Sequence, residues 1–213
     1  MIYFNKMIKK NNMKPLAQII SVIFHPIFIP LYLAVIFVNS LPFAHLYSKI
    51  YKLFILGTIA VFTCIIPFFY MLLKYLTGSI SNFYVEDRKQ RTPIYLLSFV
   101  SYIICVIFLV RLRMEPFFLL IFSSALISVL VIVVINLKWK ISAHSCGAGA
   151  LCGAVFAFEY YLSANPVLLF CTVIFIAGTI ISARLALKAH TLGQVAAGFL
   201  VGLLFSVLPI IIL

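Results

Sequence analysis

An all-helical bundle set in a membrane is the fold class this sequence predicts, and three observations carry it. Of the 213 residues, 65% are hydrophobic and 9% charged, where a soluble domain carries about 25% charge. The mean hydropathy is +1.23. The apolar residues gather in seven stretches divided by short polar breaks. Backbone polar groups cannot go unpaired in hydrocarbon, so stretches this long are helices. A span takes about 20 residues, so the chain holds six or seven spans, as one integral-membrane domain over 1–213 with no separate soluble part.

Residues 1–15 carry Lys6, Lys9, Lys10 and Lys14, and no small-residue cleavage site follows. They read as a basic juxtamembrane arm, not as a signal peptide. The bundle occupies 16–213. Its first stretch, 16–39, contains His25 beside Pro26, where a neutral histidine at a proline-freed carbonyl is the simplest reading. The second stretch is 51–74, and the polar run 77–93 follows it. The third, 94–110, is the shortest. The fourth, 117–137, ends at Lys138-Trp139-Lys140. The fifth, 144–163, and the sixth, 166–186, meet at Asn165-Pro166, and the seventh is 191–213. Gly149/Gly153 and Gly198/Gly202 are Gly-x-x-x-Gly pairs that allow close helix contact, so the fifth and seventh helices are expected to pack tightly.

Seven crossings place the amino terminus, loop 75–93, loop 138–143 and the 184–190 junction on one side, with 12 of the 16 basic residues. The positive-inside rule makes that side cytoplasmic. The net charge of +12 is scattered over short loops, which suits phospholipid headgroups and not nucleic acid.

Three polar clusters sit at helix ends on that side: Glu86 to Pro93, Lys138 to Ser145, and Ser182 to Gln194. Charges near a bilayer are costly and mark function where they face the bundle interior. Arginine grips two phosphate oxygens through its planar fork and lysine adds a compact charge. Histidine can attack phosphorus or carry a proton near neutral pH. The clusters therefore point to a phosphate on a lipid. The chain has four acidic residues in all, which leaves little to build a metal site, and its five cysteines lack metal-ligand spacing.

Arg184-x5-His190-x3-Gln194 resembles the third signature of the type 2 phosphatidic acid phosphatase superfamily, Ser-Arg-x5-His-x3-Asp. Ser142-Ala143-His144 resembles its second, Pro-Ser-Gly-His, and the wording around both is similar to a branch common in Bacteroidetes. The resemblance implies a polytopic helical phosphatase of a bacterial inner membrane, acting without cofactor or metal on a lipid phosphate or diphosphate. His190 would be the nucleophile and His144 the acid for the leaving oxygen, with Gln194 behind His190. Arg184, Ser142 and a cation among Arg88, Lys89, Arg91 and Lys140 would hold the phosphate. The first signature, Lys-x6-Arg-Pro, is not met: Tyr84 stands seven residues before Arg91, and Thr92 separates Arg91 from Pro93. Gln194 replaces an acid, so a catalytically weak relative that binds or moves a lipid phosphate is the alternative, and a structural envelope subunit is a third. The oligomeric state is open.

Overall fold

The computed structural model describes residues 14–40, 44–80, 85, 87–162 and 167–212. Most of the basic arm, Tyr84, Glu86 and the Asn165-Pro166 junction lie outside these residues. Every element among the described residues is helical.

Helix α1, residues 14–23, stops because Pro26 has no N–H to continue the ladder. The His25 N–H turns back to the Val22 carbonyl at 3.3 Å. A short 3-10 turn, Pro26–Phe28, follows with His25 as its N-cap. The chain then resumes as α2, Ile29–Ser40, so the first span is an interrupted one. Helix α3, Lys49–Leu76, is capped by the Ser48 hydroxyl and contains a π-helical stretch at Ala60–Ile65. That wider turn absorbs Pro67, with Ile66 N–H reaching back to Val61.

Helix α4 is Arg88–Arg111, capped by Asp87, whose side chain accepts from the Lys89 N–H. The polar run expected as a loop is thus helical from Arg88, and the span expected at 94–110 gains nearly two turns. Helix α5, Pro116–Lys138, starts at a Glu115 cap with proline in its first turn, the position where the missing N–H costs nothing. Helices α6, Ala143–Leu162, α7, Val167–Ala186, and α8, Leu192–Val207, complete the bundle, and one further turn, Pro209–Ile212, follows.

Five helical segments are long and apolar enough to cross a membrane: 14–40, α3, α4, α5 and α7. Between 28% and 39% of each is buried within the protein, so most of their apolar surface faces outward, Phe69, Val100, Val134 and Phe175 among it. An apolar surface that extensive belongs in lipid.

Helix α6 is the axis of the bundle, buried along nearly its whole length. Glycines set its distance from α8. A Cβ on Gly202 would overlap the Cys146 carbonyl oxygen, one on Gly149 the Phe199 carbonyl oxygen, and one on Gly153 would lie 2.6 Å from the Leu203 oxygen. The tight pairing expected of these two helices is what the backbone adopts. Aromatic packing fills the end of the bundle beyond Phe37, where Phe158 lies 4.5 Å and Phe117 6.1 Å from its ring. The other end, where α4, α6 and α8 begin, is left for polar groups.

Candidate functional site at the polar end of the bundle

A cavity of about 140 Å³ opens among α2, α4, α5, α6 and the α7–α8 turn. Arg91, His144, Arg184, His190 and His25 line its polar end, and Leu33, Ile94, Phe122 and Ile132 line its apolar depth. All three polar clusters read from the sequence thus contribute a residue to one space.

His190 is placed by the end of α7. There Lys188 takes the left-handed conformation, φ 53°, and Ala189 N–H closes on the Arg184 carbonyl at 3.2 Å. Thr191 then caps α8 in a reciprocal box with Gln194. The Gln194 Oε1 accepts from the Thr191 N–H at 3.2 Å and lies 3.1 Å from His190 Nδ1. The amide N–H requires an oxygen there, and an oxygen requires a proton on Nδ1. His190 is thereby fixed as the Nδ1–H tautomer, and its Nε2 carries a lone pair. That nitrogen lies 3.4 Å from an Nη1 of Arg91, which donates toward it. Burial, and then the Arg91 charge, push the His190 pKa down to about 3, so the imidazole is neutral.

Arg91 is buried, one turn into α4, and its Nε donates to the Val85 carbonyl. Val85 adopts φ 40°, a conformation rare for a β-branched residue. Arg184 is 2% exposed. Its Nη1 donates to the Ser21 hydroxyl at 3.2 Å, and the Nε2 of His144 lies 3.0 Å from the Ser21 carbonyl oxygen. A carbonyl only accepts, so His144 holds its proton on Nε2. The His25 ring stands edge-on to that of His144, 5.1 Å between centres.

Other expected site residues lie elsewhere. Arg88 donates through Nη1 to the Asn136 carbonyl at 3.2 Å and to the Leu137 carbonyl, so it ties α4 to the end of α5. Lys89 is exposed outside the cavity. Ser142 is fully buried, its hydroxyl accepts from the N–H and hydroxyl of Ser145, and its carbonyl rests on Gly198. It stabilises the α6–α8 contact and does not line the cavity. Lys140 is half-buried, close enough to act on the charge of His190 but not part of the lining. The Asp87 carboxylate, the acid beside Arg88, is committed to the cap of α4, where it accepts from the Lys89 N–H.

Ser21 was not singled out in the sequence. It stands four residues before His25, the spacing of neighbours on one helix face, and this pairing of polar residues just before a proline is the signal that finds it. Among the described residues no group of three or more His, Cys, Asp or Glu side chains gathers as a metal site. Comparison with protein-family models, curated proteins and solved structures finds no match.

Proposed function

We propose that the chain is a membrane phosphatase that removes phosphate from a lipid phosphate or diphosphate through a phosphohistidine at His190. The observation that carries this reading is His190 itself: its Nδ1 proton is bound by Gln194 and its Nε2 lone pair lies beside the Arg91 guanidinium at the mouth of an apolar cavity. A nucleophile needs a lone pair that can be turned to phosphorus, here as Arg91 passes its N–H from Nε2 to a phosphate oxygen, and the transferring group needs cations around its oxygens. Arg91 and Arg184 supply two guanidinium groups, and the start of α6 brings a positive dipole end to the same place. The apolar depth beneath suits the first carbons of a lipid tail.

In this reading Nε2 attacks phosphorus as the P–O bond to the lipid breaks, and the leaving oxygen takes a proton. His144 would deliver that proton through Nδ1, since its Nε2–H is given to Ser21, and it takes the proton up only with the head group in place. The dianionic head group favours the protonated ring by its charge. Water then attacks the phosphohistidine, returns a proton to His144 and releases phosphate.

We place all seven helical segments across a bacterial inner membrane with this site on the cytoplasmic side. Replacing His190 by Ala is expected to abolish phosphate release from a short-chain lipid phosphate, measured with purified protein in detergent containing a chelator. Release at the wild-type rate would refute the mechanism.

One observation favours a second reading. The Gln194 side chain brings no charge and shares its oxygen between two N–H groups, so it stabilises an imidazolium weakly. A protein that binds or moves lipid phosphate without turnover would retain the cavity with this substitution. Lipid-phosphate binding with no phosphate released, by a protein that gains hydrolysis on Gln194→Glu, is the outcome that selects it.

A further inference from the structure

We infer that the broken end of the first helix is a working wall of the site, in which Ser21 is a positioning residue for both His144 and Arg184. The inference rests on the reading of the cavity as an anion site. Its basis is local. In an unbroken helix the Ser21 carbonyl would accept from the His25 N–H, but that N–H bonds to Val22 because the chain turns at Pro26. The Ser21 oxygen is left 3.0 Å from His144 Nε2. The hydroxyl of the same residue accepts from Arg184 Nη1 at 3.2 Å. One residue, 1% exposed, therefore sets the tautomer of the histidine through its backbone and the direction of the guanidinium through its side chain.

His25 belongs to the same device. Its Nδ1 faces the Ile27 N–H at 3.5 Å, which leaves its proton on Nε2, and it lines the cavity beside His144. The interruption thus supplies a freed carbonyl behind His144 and an imidazole on the cavity wall, next to the Ser21 hydroxyl that α1 holds against Arg184. A helix continued through residue 26 would remove the carbonyl and redirect the imidazole.

The experiment separates the two bonds of Ser21. In Pro26→Ala the helix can continue, the residue 25 N–H competes for the Ser21 carbonyl, and His144 loses its acceptor. With nitrogen-15-labelled histidine and no ligand present, His144 should read as the Nε2–H tautomer in the wild type and as a mixture in Pro26→Ala. Ser21→Cys keeps the volume but replaces a good acceptor with a poor one. It should weaken binding of inorganic phosphate, followed by thermal shift, by about tenfold, as expected for a lost hydrogen bond to a charged group, while the His144 tautomer stays unchanged. An unchanged tautomer in Pro26→Ala, or phosphate affinity within about twofold of wild type in Ser21→Cys, overturns the inference. A wild type that takes up no phosphate refutes the anion site, and the ligand-free tautomer measurement still decides the positioning of His144.

Discussion

At the scale of single residues the site turns on Gln194. Its carbonyl oxygen serves both the α8 cap and His190, so the residue has a structural duty that an acid could equally perform. Glutamate is isosteric and suits the third position of a capping box, whereas aspartate is one carbon shorter. The charge is what differs. In the serine-protease case, the change from carboxylate to amide behind a histidine costs about 10⁴ in rate. Gln194→Glu is therefore expected to raise phosphate release at least about tenfold. It should also alter the response to acid. An unfolded histidine protonates near 6.5 and the folded His190 near 3, so between those values the unfolded chain binds a proton that the folded chain refuses. Stability then falls as pH drops below about 6.5. A carboxylate beside Nδ1 favours the charged ring, which shrinks that window. The thermal midpoint of the wild type should drop between pH 7 and pH 5 by more than that of Gln194→Glu. Equal drops, with no gain in rate, would mean that Gln194 does not govern the charge of His190.

At the scale of elements the site depends on how closely α6 and α8 approach, because each carries one histidine at its start. The glycine contacts give a direct comparison. Gly202→Ala drives a methyl into a backbone carbonyl, which no rotamer change relieves, and overpacking of this kind costs about 1–3 kcal/mol or more. Gly178, in the middle of α7, has open space around its Cβ position, so Gly178→Ala should gain about 0.5–1 kcal/mol from helix propensity alone. Thermal unfolding in detergent should separate the two in opposite directions, and Gly202→Ala should lose activity beyond its loss of stability. Equal midpoints would mean that α6 and α8 can part without cost. The elements also show what the sequence could reveal. The apolar stretches and the Gly-x-x-x-Gly pairs were legible because lipid and close packing select composition directly. The start of α4 was not, since Arg88 and Arg91 look like a solvated loop until partners on other elements are known: the Asn136 and Leu137 carbonyls for one, Val85 and His190 for the other. Ser142 and Ser21 carry the same hydroxyl, yet one closes a local turn and the other meets an arginine 163 residues away. Ser21 acts partly through a main-chain oxygen, and no side-chain type announces that.

At the scale of the whole molecule, the proposed orientation follows from where the cations go once the site is known. Arg91 and Arg184 are buried against the cavity and owe their position to the site, so they say nothing about topology. Without those two, the proposed cytoplasmic side still keeps 10 basic residues against the 4 at Lys49, Lys52, Arg111 and Arg113. The positive-inside bias therefore survives removal of the buried site arginines. The proposed topology also makes a geometric statement: with α4, α5, α6 and α7 all placed across the membrane, Lys89 before the bulk of α4 and Lys188 after α7 share one side. Single cysteines test this in whole cells with a maleimide that does not cross membranes. The background is simple, because Cys64, Cys105, Cys146 and Cys152 are buried and Cys171 is exposed, so Cys171→Ser removes the exposed thiol. Lys49→Cys and Arg113→Cys should label in intact cells, and Lys89→Cys and Lys188→Cys only after permeabilisation. Labelling that keeps these pairs together but exchanges their sides would turn the site to the outer face and leave the seven crossings standing. Labelling that splits Lys89 from Lys188 would break the crossing count itself. A bundle with an odd number of spans between those two lysines could not bring Arg91 and His190 to one cavity, so that result would refute the site together with the topology.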